Sequence, residues 1–275
     1  MARILHYVLA VFCLAATPVA QQQESPLPAL PADIPKDAVL RMLLVDKTPS
    51  GQDAVWRTPD GVIHEFFQFN DRGRGPKIYS TYHLDRDGLI TSEESKGVDY
   101  MKTPVEERFA VTSGTATWKN QAEDEKQASA AGKFYIDING GPETGAILAR
   151  ALLSAKDGAS LPVLPSGEAR IRKMQSLPVE VNGKKQTATL YEVSGLGFTP
   201  NYLWLDDDRE FLANIGGPDA LVQQGLESAV PSLRDSQRQV EVARAAELAR
   251  KLTRKPGGDL VISNVSLFDA ESAKL

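Results

Sequence analysis

Turn residues recur at short intervals between residues 38 and 216, and each cluster separates runs in which apolar residues alternate with polar ones. The Asn182-Gly183 pair is the strongest of these signals, because Asn-Gly suits the two left-handed positions of a two-residue hairpin turn. Such spacing leaves room for hairpins but not for the crossovers of a dozen or more residues that parallel pairs need, so it predicts antiparallel pairing. Strands are predicted over 62–69, 77–84, 89–95, 107–112, 115–119, 133–138, 169–181, 185–193, 202–205 and 210–215. Asp87-Gly88, Ser113-Gly114 and the acidic 206–208 are the turns between neighbours. One helix interrupts the series. Pro142-Glu143-Thr144 is its start, Ile147, Leu148, Ala151 and Leu152 share a face, and Lys156-Asp157-Gly158 ends it. The fold class this predicts is α+β, mainly β: a strongly curved antiparallel sheet, half-barrel-like, around one helix, followed by a long connector helix.

The connector is read from the change in composition after Gly216-Gly217. Asp219 is placed to cap a helix running to about 229, Pro231 starts or kinks the next, and 232–254 lacks Gly and Pro. Leu233, Val240, Leu248 and Leu252 give that segment only a sparse apolar stripe, as expected of a helix joining two units. At the other end, Arg3 followed by the apolar run 4–16 and the small-residue exit 17–20 forms a signal peptide, too short for a membrane span of roughly 20 residues. Cleavage is expected after Ala20, with Ala16 as the alternative, and Phe12 before Cys13 argues against a lipid anchor. The domain layout is therefore 1–20 signal peptide, 21–37 Pro-rich tether, 38–216 β-rich accessory domain, 219–255 connector helices, and a final unit over 259–275.

Processing after Ala20 removes the only cysteine, so the mature chain cannot form an internal disulfide. It leaves 30 basic against 36 acidic residues, a net charge of −6, with no electrostatic footprint for nucleic acid. No second hydrophobic run is long enough to span a bilayer, and the expected location is periplasmic or secreted. Nothing in the sequence specifies an oligomer.

Candidate sites each have a plain structural explanation. Residues 83–94, HLDRDGLITSEE, place Asp85, Asp87, Gly88, Ile90 and Glu94 on a calcium-loop template. His83, however, stands where a carboxylate is needed, and the flanks read as strands, so a β-turn accounts for the same residues. Asp206, Asp207 and Asp208 read as a solvated hairpin tip, with Tyr202, Trp204 and Leu205 before them as sheet residues. His64 and His83 form no metal-ligand spacing. There is no Gly-x-Ser-x-Gly elbow, and Gly140-Gly141 and Gly195-Leu196-Gly197 lack the continuation of a phosphate loop. The expectation is no catalytic, cofactor-binding or metal-binding residue in this chain.

Residues 257–275, GGDLVISNVSLFDAESAKL, resemble the opening strand of the amidohydrolase superfamily, which precedes a metal-binding barrel. Residues 194–213, SGLGFTPNYLWLDDDREFLA, followed by the helix to Arg254, are similar to the region ahead of that strand in exported bacterial amidohydrolase-family proteins. The resemblance implies the N-terminal, non-catalytic region of a secreted hydrolase acting on C–N bonds. Its partner would be a barrel in cis beyond Leu275. Zinc or another divalent metal would be held there by His-x-His, a bridging Lys, two further His and an Asp, none of which has a matching position here. The β-rich part is also similar in pattern to lipoprotein-carrier-like half-barrels. That similarity, with the lack of catalytic groups, supports the alternative expectation: an independent periplasmic binding module holding an apolar ligand.

Overall fold

The computed structural model describes residues 27–155 and 160–274. The expected signal peptide at 1–20, the first residues of the expected tether and the expected helix stop at 156–158 lie outside the described residues.

Among the described residues fifteen strands form one sheet. The chain starts in the middle with β1 (Val39–Val45) and β2 (Thr48–Arg57). It steps outward through β3 (Ile63–Phe69), β4 (Lys77–Leu84), β5 (Ile90–Val98), β6 (Pro104–Thr112) and β7 (Thr115–Lys119) to β8 (Asp124–Ala128) at one edge. It then crosses to the opposite edge, where β9 (Phe134–Tyr135), α1 (Glu143–Ser154) and β10 (Ser160–Leu164) form a crossover unit. From there β11 (Glu168–Val181), β12 (Lys184–Ser194), β13 (Asn201–Leu205), β14 (Phe211–Gly216) and β15 (Asp219–Gln223) step back to the middle. There β15 pairs antiparallel with β1, with Leu43 opposite Leu221.

The turns are tight for the reason the sequence suggests. Asn182-Gly183 and Ser113-Gly114 both take positive φ at both positions, which matches the twist of the strands they join. The one parallel pair is β9 with β10, and its crossover is α1. The sheet curls until Tyr135 of β9 stacks on Phe109 of β6 at 4.2 Å between ring centroids, but β8 and β9 are not paired to each other.

These findings correct the expected fold class. The sheet is mixed rather than antiparallel, because β9 and β10 are joined by a crossover long enough for parallel pairing. It is open, not closed into a barrel. Nor does it wrap around a single helix, since its second half is packed on both faces. Successive residues of a strand point to opposite faces. On β13, Leu203 and Leu205 join α1 residues such as Ile147 and Leu152 in one core, while Tyr202 and Trp204 join Val230 and Leu233 in another. Val230 and Leu233 belong to α2 (Val230–Leu252), which follows a short 3-10 turn, Glu227–Ala229. The first two turns of α2 therefore dock on the sheet. Gln237 ties them down, accepting from Trp204 Nε1 at 3.2 Å and donating to the Ile215 carbonyl at 2.8 Å. Leu252 at the far end is exposed.

Two local expectations also change. The helix expected from Asp219 is instead strand β15. Ala220 and Val222 fill the α2-side core and Leu221 the α1-side core, a two-sided burial that only a strand between β1 and β14 provides. Residues 259–274 form no named strand. They show one isolated bridge, Asp269 to Lys274, and Leu260, Val261 and Ile262 are exposed.

Candidate functional site

The inward face of β3 to β6 carries polar side chains where alternation would place apolar ones. Two cross-strand rows define it. Glu65, Ser80, Ser95 and Glu107 stand opposite one another across four strands, and beside them Ile63, Tyr82, Glu93 and Phe109 do the same. All eight are buried. β1 and β2 add Arg41 and Asp53, also buried and directly opposed.

The segment leading into α1 lies on this belt, and its backbone explains part of it. The first N–H groups of a helix have no intrahelical acceptor. Glu65 accepts from Glu143 N at 2.7 Å. Glu107 accepts from Ile138 N at 3.1 Å, Asn139 N at 2.8 Å and the Tyr135 hydroxyl at 2.7 Å. Gly140 and Gly141 permit the approach: a Cβ on Gly140 would overlap the Asp137 carboxyl, and one on Gly141 would overlap that of Glu65.

Two arginines neutralise one end. Arg41 donates to Asp53 at 2.9 Å and to Glu143, and its guanidinium lies 4.0 Å over the Phe211 ring. Arg150 pairs with Glu143 and, at 3.2 Å, with Glu210. Burial works against charge on Arg41, but Glu143 and Asp53 outweigh it and raise its pKa. Burial also works against charge on Glu143, yet Arg41 and Arg150 leave its carboxyl below the ordinary range.

The other end has no cation. Among the described residues, neither Lys nor Arg forms an ion pair with Glu65, Glu93, Glu107 or Asp137. Burial, then the charges of Asp53 and Glu143, push Glu65 well above the usual carboxylate range. Burial, Asp137 and Glu107 do the same to Glu93. Burial raises Asp53 to about 6 despite Arg41, and raises Asp137 to about 7 despite its hydrogen bond from Thr144.

Glu65, Tyr82, Thr144 and Asp137 form a chain with links of 3.2, 3.0 and 2.7 Å. Tyr82 donates to Glu65 and accepts from Thr144 and, at 3.1 Å, from Gly141 N, while Thr144 also donates to Asp137. A second carboxyl, Glu93, faces Asp137. Glu93 Oε1 accepts from Ser95 at 3.0 Å, whereas Oε2 is buried without a donor.

Asp137 also opens onto a cavity of about 380 Å³. Its wall is apolar: Leu148 of α1, Val193 of β12, Leu203 of β13, Phe211 of β14 and Leu196 of the loop after β12. Asn201 and Asn214, both exposed, stand at its rim, and Gly145 of α1 faces open space there. Two residues beyond Leu196, Phe198 is fully exposed on the same loop. A cavity of this size, mostly apolar with a few convergent polar groups and perturbed carboxyls, is the general form of a small-molecule site.

The residues weighed from sequence lie elsewhere. Asp85 closes the β4–β5 turn, accepting from Asp87 N and Leu89 N at 2.9 Å each. Asp206 closes the β13–β14 turn, accepting from Asp208 N at 2.9 Å and Glu210 N at 2.8 Å. His64 stacks on Trp56 at 5.3 Å, and His83 is an exposed residue of β4. Among the described residues, no group of three or more His, Cys, Asp or Glu is placed to hold a metal ion. The site residues missed from sequence are Glu65, Tyr82, Glu93, Glu107, Asp137 and Thr144.

No family model matches the chain, and no curated protein matches it. Two solved structures align with it. A β-barrel-like protein of domain of unknown function DUF1849 from Brucella abortus aligns with TM-score 0.42 and 11% identity, over 68% of this chain and 94% of its own. A DUF1089 family protein from Pseudomonas aeruginosa aligns with TM-score 0.37 and 15% identity, over 62% of this chain and 91% of its own. The amidohydrolase resemblance is corrected accordingly. No family model supports it, and the segment that carried the resemblance forms no named strand. The description as a hydrolase goes with it.

Proposed function

We propose that this protein is a binding module that holds a small, mainly apolar ligand in the cavity between α1 and strands β12 to β14. One observation carries the reading: an apolar-walled cavity of about 380 Å³ with Asp137 and Thr144 converging at one point of its lining. Leu196 and Phe198 on the neighbouring loop offer further apolar surface at the entrance. The targeting segment at 1–20 supports a role outside the cytoplasm.

The test uses the neutral apolar fluorophore N-phenyl-1-naphthylamine and the variant Gly145→Leu. A Cβ at Gly145 meets nothing within 4 Å, so leucine there lies over the mouth without a backbone clash. It also replaces glycine in a helix, which favours the fold by about 0.5–1 kcal/mol. The expected result is saturable, one-to-one binding that weakens at least tenfold in Gly145→Leu while Tm holds or rises. Non-saturable fluorescence, or equal affinity in the variant, overturns the reading.

A further inference from the structure

Within the buried belt, most carboxyls have an assigned structural partner. Glu143 and Asp53 serve Arg41, Glu65 and Glu107 satisfy backbone N–H groups, and Glu143 also holds Arg150. Glu93 and Asp137 are left over. They face each other, no cation pairs with either, and Glu93 Oε2 has no donor although the residue is only 3% exposed. Asp137 is half-buried and lines the cavity, where it is the only charged side chain among the described lining residues. An unpaired carboxyl pair is costly in a protein interior, and a bound cation removes that cost.

We propose that the cavity takes an amphipathic amine, with its apolar body against Leu148, Leu203 and Phe211 and its protonated amine on Asp137, the member of the Glu93–Asp137 pair that lines the cavity. This rests on the cavity reading above and names the ligand class for that site. The amine enters as an ammonium ion. The proton shared by the two carboxyls leaves to solvent, so up to one proton is released for each amine bound at acidic pH, and about half a proton at pH 7. Burial of Asp137 sets this direction. Glu107 from β6 opposes its ionisation, while hydrogen bonds with Thr144 from α1 and Glu93 from β5 favour its charged form, with Tyr82 of β4 and Glu65 of β3 behind Thr144. From the cavity side, β12, β13 and β14 contribute no charged lining residue. Asp137 holds its proton up to about pH 7, so amine binding strengthens as pH rises toward 8.

The experiment compares n-octylamine with n-octanol as competitors of the naphthylamine probe at pH 5 and pH 8. The amine is protonated at both, since alkyl ammonium groups titrate near pH 10. At pH 8 octylamine is expected to bind at least tenfold more tightly than octanol, and the ratio falls to near one at pH 5. In Asp137→Asn the ratio is near one at both. Calorimetry of the unmodified protein at pH 7, in buffers of different ionisation enthalpy, should show the released proton whether or not the variant folds. Equal affinity of amine and alcohol at pH 8, or no proton release, overturns the amine assignment and leaves the apolar cavity standing. Failure of the probe and both competitors to bind saturably overturns both.

Discussion

On the α2 side of the sheet, Trp204, Leu212, Val222 and Leu233 meet in an apolar core. Its buried polar groups include Gln237, which bonds Trp204 and the Ile215 carbonyl, and one carboxylate, Glu192, which accepts from Tyr202 and pairs with Arg172 and Arg244. On the α1 side, a core of similar character, with Phe109, Phe134, Ile147 and Leu152, adjoins buried Asp53, Glu65, Glu93, Glu107 and Glu143. The same sheet supports both, so architecture does not demand the carboxyls. Burying an ionised group costs several kcal/mol unless partners replace its water, and apolar residues of similar volume are often as stable or more so. The α2 side is what this sheet builds when stability alone is served. The α1 side retains a polar belt beside a cavity, and the proposed binding site lies at that difference.

The comparison is broken most severely at Arg41. Arg41→Met strands Asp53 without a cation, leaves Glu143 with Arg150 alone, and should cost about 3–5 kcal/mol in urea unfolding. On the opposite face, Leu233→Ala removes only packing and should cost about 2–5 kcal/mol, depending on how far the core relaxes. Only the first loss should change with pH. A pH-dependent cost for Leu233→Ala would show that the two faces are not independent.

A smaller effect sharpens the contrast. Asp53 and Asp137, raised to about 6 and about 7, hold protons in the folded chain that the unfolded chain has released above about pH 4. The folded state then binds more protons than the unfolded state, so stability falls as pH rises from about 4 through about 7. Thermal scans should give a Tm several degrees higher at pH 5 than at pH 8, about 2 °C for each kcal/mol at this chain length. Asp137→Asn should flatten that slope, and a Tm that rises from pH 5 to pH 8 contradicts the shared-proton account. The smallest effect is Gly145→Leu, expected to stabilise by about 0.5–1 kcal/mol while closing the cavity.

Much of the sheet was legible. The runs at 77–84 and 115–119 became β4 and β7 without change, and Asn182-Gly183 turns β11 into β12. β15 was not legible, because Asp219 followed by Ala-Leu-Val carries a helix-cap signal locally, and only the pairing of Leu221 with Leu43 overrides it. Mixed pairing was hidden for a similar reason, since β9 is a two-residue strand whose partner lies beyond α1. The belt left one readable trace. Glu107 stands between Val105 and Phe109 at period two, and Glu65 follows Ile63 in the same way, a pattern that could have marked both as inward-facing carboxyls. Asp137 carried no such mark. Its role depends on Gly140 folding the chain back beneath its own carboxyl, and on Glu93 arriving from a distant strand.

The central claim is that Asp137 and Glu93 share a proton that a bound amine displaces. Carbon-13 NMR of the Asp137 side-chain carboxyl, followed against pH with and without saturating octylamine, tests it most directly. The account predicts an apparent midpoint near 7 in the free protein, belonging to the pair rather than to one residue, and a fall toward the ordinary carboxylate range on binding. A free-protein midpoint near 4 that octylamine does not move would contradict it.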